Sequence, residues 1–283
     1  MRYLRGIKKV ASSVVWLGST LLQGLTGQTT LNYARIKIWS QLTLVGKRFI
    51  DGVNWKSYHE HYSEELKMIQ KTNTLIINKD NFSLINGIIS IKGPDHKPLL
   101  PSHRLLYETI LELNPTEILE IGCGGGDHLA NLKTLIPAVK VNGIELLEDQ
   151  LDTLNSRHPG HSFNLNLADI TSSKFIYPKT DLVFTHAVLM HITEKEERFD
   201  IALNNVLNTA SRFVVLMENW TQHNFLAAVQ EFLRNNLEWK VFFKASNHGE
   251  EARIVILSKI ELSNYSPLSN YSDLSPDYRL RPH

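Results

Sequence analysis

The stretch EILEIGCGGGDHLANL at residues 117–132 places three glycines between an apolar segment and a helical pattern. The apolar run at 118–121 is typical of a parallel strand that is covered on both faces. The leucine spacing over 129–135 indicates a helix. Glycines at such a junction let the backbone approach a ligand closely. The stretch therefore predicts a strand, a loop that binds a nucleotide-type cofactor, and a helix.

Beyond this loop, strands and helices alternate along the chain. Strands are predicted at 117–121, 140–145, 162–167, 181–185, 212–218, 239–244 and 252–258, with a helix after each of the first five. Such alternation predicts an α/β fold with a mostly parallel sheet of seven strands and helices on both faces. The last two strands are joined only by ASNHGEE, which is too short for a parallel crossover, so a terminal strand must run in reverse.

The first 50 residues differ from the rest of the chain in charge. They contain eight Lys or Arg and no Asp or Glu, while the remainder holds 22 basic and 29 acidic residues. Two apolar stripes with helical spacing, at 7–25 and 31–49, predict an N-terminal helical extension at 1–50. An anionic membrane surface, a partner protein and the chain's own core all remain open as its neighbour.

Three further segments complete the predicted organisation. Residues 51–100 connect the extension to the main α/β domain at 101–260, and the pair Asn86-Gly87 predicts a small β-hairpin within them. Residues 261–283 repeat the hexamer Ser-Asn-Tyr-Ser-x-Leu and predict a flexible tail, with docking to a partner as the alternative.

The composition limits the disulfides, metal sites, membrane spans and cellular location that can be expected of the protein. A single cysteine excludes an internal disulfide and a cysteine-cluster metal site. The sequence contains no uninterrupted stretch of ~18 apolar residues, so no membrane span is predicted. We therefore expect a cytoplasmic location, with the inner face of a membrane as the alternative.

Two cofactor classes compete for the glycine loop. The dinucleotide fingerprint G-x-G-x-x-G is matched by Gly122 and Gly124, but its third position holds Asp127. A phosphate-binding loop with Gly-Lys-Ser or Gly-Lys-Thr is also absent from the sequence. The loop therefore favours a nucleoside cofactor without phosphates, S-adenosylmethionine.

Acidic residues suited to S-adenosylmethionine follow the predicted strands. Glu145 ends the second strand, where a carboxylate can accept hydrogen bonds from both ribose hydroxyls. Asp169 follows the third strand and can accept from the adenine amino group. Glu120 precedes the loop and can face the methionine ammonium. Ligands of open parallel sheets bind beyond the carboxyl ends of the strands, where all three lie.

Residues 101–260 resemble the class I S-adenosylmethionine-dependent methyltransferases, in particular the small-molecule and glycan-modifying members. The resemblance is carried by EILEIGCGGG, VNGIEL, LADI, TDLVFTHAVLMHI and RFVVLMEN, in that order. It implies a Rossmann-like seven-stranded sheet with a reversed terminal strand. The cofactor residues that it implies are Glu120, Gly122, Gly124, Gly126, Glu145, Asp169 and Ile170.

The methyl acceptor is predicted from the segments after the fourth and fifth strands. His186, His191 and His223 are candidates for a general base that deprotonates a hydroxyl of a sugar, glycan or other small molecule. His186 is favoured because it directly follows a strand, and an unperturbed pKa near 6.5 suits this role. We expect no metal, because no acidic pair suited to magnesium is visible.

Other functions remain open at the level of sequence. A non-catalytic assembly subunit with this fold, an aminopropyl transferase and an RNA methyltransferase are the alternatives. Nucleic acid is disfavoured as a substrate because the predicted catalytic part is net acidic.

Overall fold

The structure is a computed structural model that describes residues 76–92, 99–192, 198–218, 225–245, 252–273 and 280–282. All of these belong to the unit Leu75–His283. The predicted N-terminal extension at 1–50, His223 and much of the connecting segment lie outside the described residues. Among the helices that are described, none has the length and apolar character needed to cross a bilayer.

The described elements are five α-helices and twelve strands. The helices are α1 (Pro101–Leu113), α2 (Asp127–Leu135), α3 (Glu148–Arg157), α4 (Arg198–Thr209) and α5 (Phe225–Arg234). The strands are β1 (Phe82–Ile85), β2 (Ile88–Ile91), β3 (Glu117–Ile121), β4 (Lys140–Glu145), β5 (Asn164–Leu167), β6 (Thr180–His186), β7 (Ala210–Met217), β8 (Lys240–Ala245), β9 (Ala252–Ser258), β10 (Ser266–Pro267), β11 (Tyr271–Asp273) and β12 (Leu280–Pro282).

One large sheet organises the domain. Its strand order is β10-β8-β9-β7-β6-β3-β4-β5, and the pairs from β7 through β6, β3 and β4 to β5 are parallel. One apolar cluster joins the sheet to α4 and α5, and a second joins it to α1, α2 and α3. The predicted α/β fold with helices on both faces is therefore confirmed.

The seven predicted strands all form, and each end lies within two residues of its predicted position. The predicted reversal is also confirmed. β9 lies between β7 and β8 and is antiparallel to both. The link between β8 and β9 is short, so the chain turns back on itself and inserts β9 in the reverse direction.

One predicted helix is wrong. The chain between β5 and β6, residues 168–179, is described throughout and contains no helix. Asp169 begins this segment with a side-chain turn, because its Oδ1 accepts hydrogen bonds from the Thr171 amide at 2.8 Å and the Thr171 hydroxyl at 2.6 Å. Such local bonds compete with helix formation, and Pro178 near the segment's end disfavours a helical residue before it.

The hairpin predicted from Asn86-Gly87 is present. β1 and β2 pair antiparallel, and both turn residues have positive φ angles, 51° for Asn86 and 79° for Gly87. The hairpin also packs on the main domain, since Ile89 is fully buried in the same apolar cluster as α1 and its amide donates to Glu108 Oε1 at 3.0 Å. The apolar core thus extends N-terminally past the predicted boundary at residue 101.

The sheet also extends past the boundary predicted at residue 260. Ser266 and Pro267 pair antiparallel with β8, which adds β10 as an eighth strand. Tyr265 is buried, and its hydroxyl donates to Glu112 Oε2 at 2.7 Å. The expectation of a flexible tail from residue 261 is therefore corrected for its first residues, because one buried aromatic ring and two strand residues attach them to the domain.

Candidate active site

The glycine loop closes over the end of the neighbouring strand β4. The amides of Gly122 and Cys123 both donate to the carbonyl of Ile144, at 2.8 and 3.1 Å. Gly122, Gly124 and Gly126 all have positive φ angles, 74°, 50° and 78°. This left-handed geometry is strained for residues with a side chain, so the loop requires glycines.

The space around the three glycines differs. A Cβ atom at Gly122 would lie 2.5 Å from Cγ2 of Val188, and one at Gly126 would lie 2.4 Å from Cγ of Leu154. A Cβ atom at Gly124 would have no heavy atom of the described residues within 4 Å. Gly122 and Gly126 therefore permit close packing inside the protein, whereas Gly124 borders open space that a ligand can enter.

Glu145 joins the loop to the end of β4. Its Oε2 accepts the Gly124 amide at 2.9 Å, and its Oε1 accepts the amides of Leu146 and Leu147 at 2.8 and 3.2 Å. The residue is 9% exposed. A carboxylate has about four acceptor positions, so capacity remains beside the open space at Gly124. This arrangement fits the predicted contact with a ribose diol.

Glu120 carries a carboxyl group buried under the loop. It is 2% exposed, and its Oε2 has no hydrogen-bond partner among the described residues. Burial raises the pKa of Glu120 well above its usual value, and the negative charges of Glu145 and Asp127 raise it further. A buried carboxyl oxygen without a partner is costly. The donor that it lacks fits the ammonium group of the predicted cofactor.

Asp169 and Ile170 lie at the end of β5. Asp169 Oδ2 is 3.4 Å from Nη2 of Arg198, and the Asp169 side chain is 40% exposed. Ile170 is buried in the apolar cluster beneath α4, and its carbonyl accepts from Asn205 at 2.8 Å. The adenine role of these two residues stays a prediction. Arg198, which the sequence analysis missed, would compete with an adenine amino group for Asp169.

Asp127, at the position of the missing third glycine, has a structural role. Its carboxylate accepts two hydrogen bonds from Arg157, at 2.6 and 2.8 Å, and lies 3.0 Å from Nε2 of His158. Burial alone would raise the pKa of Asp127, but these partners outweigh burial and lower it. The residue therefore ties the start of α2 to the end of α3.

Three histidines meet beside the glycine loop. His186 ends β6, and its Nδ1 lies 3.1 Å from Nε2 of His128 in the first turn of α2. His103 in α1 stands edge-on to both rings, with centroid distances of 4.8 Å to His128 and 5.4 Å to His186. The sequence analysis found only His186. The other two could not be recognised because His103 and His128 are far apart in the sequence and fit no metal or catalytic motif.

A buried hydrogen-bonded chain supports this cluster. His128 Nδ1 lies 2.8 Å from the Tyr107 hydroxyl, which also accepts a hydrogen bond from Nδ2 of Asn131 at 3.0 Å. The Oδ1 of Asn131 accepts the Ile77 amide at 2.7 Å, which fixes the orientation of the Asn131 amide group. The ring of His128 is thereby held from α1, α2 and the segment before the hairpin.

The pKa expected for His186 is corrected. Burial, and then repulsion from His103, lowers the pKa of His186 to about 4 rather than leaving it near 6.5. Burial also lowers the pKa of His103 and that of His128. All three rings are therefore neutral at pH 7, and His186 by itself is a weaker base than the sequence suggested.

His191, the other candidate base that the structure describes, is not part of this cluster. His191 lies in the 3-10 turn Leu189–His191, and its amide donates to the Val188 carbonyl at 3.0 Å. His223 falls outside the described residues. The roles predicted for both stay predictions.

Glu218 is a further residue that the sequence analysis did not assign. It follows β7, it is buried, and its two carboxylate oxygens accept the amides of Val188 and Met190, both at 3.1 Å. It therefore anchors the segment after β6 whose Val188 packs against Gly122. In the sequence, the only feature that could have pointed to Glu218 is its position as an acid directly after the fifth predicted strand.

Comparison with known proteins agrees with this geometry. Residues 118–210 match a family model described as a methyltransferase domain. Trans-aconitate 2-methyltransferase from Rhodopseudomonas palustris (strain BisA53) is 30% identical over 93 residues, which cover 32% of this chain and 34% of that protein. The chain thus spans about a third of the length of this curated relative.

Solved structures with similar folds include two methyltransferases. A TehB-like SAM-dependent methyltransferase from Corynebacterium glutamicum has a TM-score of 0.47 and 12% identity, over 75% of this chain and 99% of that chain. A SAM-bound amino pentose methyltransferase from Micromonospora echinaspora has a TM-score of 0.37 and 21% identity, over 44% of this chain and 52% of that chain.

The recognition made from the sequence is confirmed. The match of residues 118–210 to the methyltransferase domain model agrees with the resemblance to class I, S-adenosylmethionine-dependent methyltransferases. The match includes the glycine loop, Glu145 and His186.

The two types of glycine should respond differently to substitution. Gly126→Ala combines a strained φ with a clash against Leu154, so we expect a loss of about 2–4 kcal/mol in the free energy of unfolding. Gly124→Ala should cost only about 1–2 kcal/mol, because it brings strain without a clash. It should nevertheless weaken cofactor binding at least about tenfold, since its methyl group fills the open space. Urea unfolding and calorimetry with S-adenosylmethionine measure the two effects.

Gly160→Ala is the matched control, since a Cβ atom there meets no described atom within 4 Å and the residue lacks a positive φ. It should change neither quantity. Equal cofactor affinity for Gly124→Ala and wild type would contradict a ligand position at Gly124.

Proposed function

We propose that this chain is an S-adenosylmethionine-dependent methyltransferase that modifies an oxygen atom of a small-molecule acceptor. The observation that carries the proposal is the joint geometry of the glycine loop and two acids. Gly124 borders open space, Glu145 stands beside it, and the buried Glu120 lacks a hydrogen-bond donor. A nucleoside with a hydroxyl pair and an ammonium group supplies the partners that these groups need.

The chain's own residues provide binding and orientation in this proposal. Glu145 accepts from the ribose hydroxyls, Asp169 accepts from the adenine amino group, and Ile170 contributes its apolar side chain near the ring. Glu120 pairs with the ammonium group. When bound, S-adenosylmethionine would supply a sulfonium methyl group to the acceptor oxygen, the electrons of the C–S bond would return to sulfur, and the hydroxyl proton would pass to a base. Such transfer depends mainly on alignment of the acceptor with the methyl group.

Loss of the Glu145 carboxylate should weaken cofactor binding. Glu145→Gln keeps the shape but removes charge-assisted hydrogen bonds worth about 1.5–3 kcal/mol, so we expect affinity to fall roughly ten- to hundredfold. Calorimetric titration with S-adenosylmethionine and with S-adenosylhomocysteine gives the two dissociation constants.

Glu148→Gln is the matched control for this measurement, because Glu148 is an exposed acid only three residues away. It should bind both ligands as wild type does. Unchanged binding by folded Glu145→Gln would remove the ribose assignment, and absence of binding by wild type would remove the proposed function.

Cofactor binding should also displace a proton from Glu120. In the free protein, burial raises the pKa of Glu120 and favours its protonated form. A bound ammonium favours the ionised form and lowers this pKa, so binding should release a proton and should weaken as the pH falls. Calorimetry in buffers of different ionisation enthalpy measures the release between pH 6 and pH 8.

The comparison variant is Glu120→Gln, which cannot release this proton. The difference between variant and wild type isolates Glu120, because the cofactor's own amino group also titrates, near pH 8. Identical proton release by both proteins would contradict the proposed pairing of Glu120 with the ammonium group.

The acceptor proposed here is a hydroxyl of a sugar, a glycan or a biosynthetic intermediate. The oxygen would meet the polar cluster at the end of β6, where His186 stands near the glycine loop. Two similar proteins carry names of small-molecule methyltransferases, one for trans-aconitate and one for an amino pentose. These names support a small-molecule acceptor for this chain, and protein or membrane contacts through residues 1–50 remain separate predictions.

An acceptor screen with methyl-labelled cofactor tests the choice of nucleophile. We expect transfer to oxygen, reduced at least tenfold in His186→Ala, because in this proposal that ring contacts the reacting oxygen. His191→Ala should have a smaller effect, since His191 lies outside the cluster. His161→Ala, at a histidine that stacks on Phe163 away from the cluster, is the control.

Transfer to nitrogen or carbon, or full oxygen methylation by His186→Ala, would defeat the acceptor assignment and leave methyl transfer standing. Including RNA and the decarboxylated cofactor in the screen tests the RNA methyltransferase and aminopropyl transferase alternatives. Cofactor binding without turnover on any acceptor would favour the assembly-subunit alternative.

A further inference from the structure

His103, His128 and His186 form a compact set of ligand atoms. They come from three separate elements, α1, α2 and β6, and one ring nitrogen of each lies within 4.8 Å of the others. All three side chains are partly buried rather than sealed from solvent. Imidazole nitrogens at this separation are arranged as metal ligands often are, and partial exposure leaves a path for an ion to enter.

The closest pair already has a suitable separation. In tetrahedral coordination with metal–nitrogen distances of 2.0–2.1 Å, two ligand nitrogens lie about 3.3 Å apart. Nε2 of His128 and Nδ1 of His186 are 3.1 Å apart. The His103 nitrogen must approach by roughly 1.5 Å to complete the triangle. His103 lies in the first turn of α1, where a side-chain rotation can supply this movement.

The second ring nitrogen of His128 has the partner that a metal ligand requires. A metal-bound histidine usually donates its other N–H to a fixed acceptor, which sets its tautomer and orientation. Here Nδ1 faces the Tyr107 hydroxyl at 2.8 Å, and Asn131 holds that hydroxyl in place. The hydroxyl oxygen has two lone pairs, enough to accept from both His128 and Asn131.

The charge state of the cluster also fits a cation. Burial lowers the pKa of each of the three rings. Repulsion from protonated His103 further lowers the pKa of His186, and repulsion from His186 and His103 further lowers that of His128. The three rings are therefore neutral at pH 7, which is the form of imidazole that binds a metal. A cation can enter without first displacing three protons.

We propose that His103, His128 and His186 bind a zinc ion or a similar borderline transition-metal ion, with a fourth position left for an oxygen ligand. Neutral imidazole suits zinc, and three protein ligands with one open position are typical of catalytic zinc sites. The sequence analysis expected no metal because it found no acidic pair suited to magnesium.

The position of the site suggests what its fourth ligand is. His128 lies two residues after Gly126, so the cluster borders the glycine loop. An acceptor hydroxyl bound at the open position would become more acidic and could lose its proton to solvent, so His186 would act as a ligand rather than as the base. This role rests on the proposed methyltransferase function, whereas metal binding itself does not depend on that function.

The test uses the full-length chain without a histidine tag, after removal of metals by chelation. Titration with Zn²⁺ should give one tight site per chain by calorimetry. Co²⁺ should produce the visible absorption of a four-coordinate site with nitrogen ligands. Zn²⁺ should also raise the melting temperature, because it binds the folded state alone. No stoichiometric binding of either ion to wild type would overturn the proposal.

Variants assign the site to the three histidines. His103→Leu and His186→Leu should each weaken Zn²⁺ binding at least about tenfold and abolish the Co²⁺ absorption, and Tyr107→Phe should weaken binding roughly tenfold through His128. His161→Leu is the control and should bind as wild type does. Wild-type affinity in folded His103→Leu and His186→Leu, or equal loss in His161→Leu, would overturn the assignment.

Cofactor titration of the same samples keeps the two proposals distinguishable. Zinc binding that is lost in His103→Leu while S-adenosylmethionine affinity stays at the wild-type value supports a separate metal site. Cofactor binding by wild type without any zinc binding overturns the metal site and leaves the proposed function intact. Zinc binding by wild type without any cofactor binding supports the metal site and overturns the proposed function.

Discussion

The carboxylate of Glu145 is the interaction on which the candidate site depends. It accepts amides from the glycine loop after β3 and from the two residues that follow β4. A single side chain therefore links the ends of β3 and β4. The loop can take this path only because Gly126 passes against Leu154, where a methyl group would not fit. Packing and polar contacts thus impose the same loop geometry.

A second carboxylate performs a similar task for the segment after β6. Glu218 binds the amides after β6 and so places Val188 against Gly122. The two acids are buried, and each uses backbone donors rather than a basic side chain. Such bonds preorganise the loops, because no flexible side chain must be ordered when a ligand arrives. The glycine loop and the segment after β6 are consequently joined through the packing of Val188 against Gly122.

The domain is also larger than its sequence pattern indicated. Ile89 from the hairpin and Tyr265 after β9 are both buried in the apolar cluster that contains α1. Neither belongs to an alternating strand and helix pattern, so periodicity could not assign them to the core. The hairpin turn itself was predictable, because Asn86-Gly87 adopts the positive φ angles that few other residue pairs accept.

The sequence by itself determined the order of the candidate site's features along the chain. These are a buried strand, a glycine loop, and acids at the ends of the next two strands. These features are local, since apolar periodicity and glycine geometry act over a few neighbouring residues. The missing helix between β5 and β6 shows the limit of such reasoning, because the side-chain bonds of Asp169 replaced helical ones. Only the tertiary structure brought His103 and His128 to His186, and it lowered the pKa of His186 through burial and through repulsion from His103. Proximity between elements far apart in the chain, and the desolvation that accompanies it, arise from packing and leave no periodic signal in the sequence.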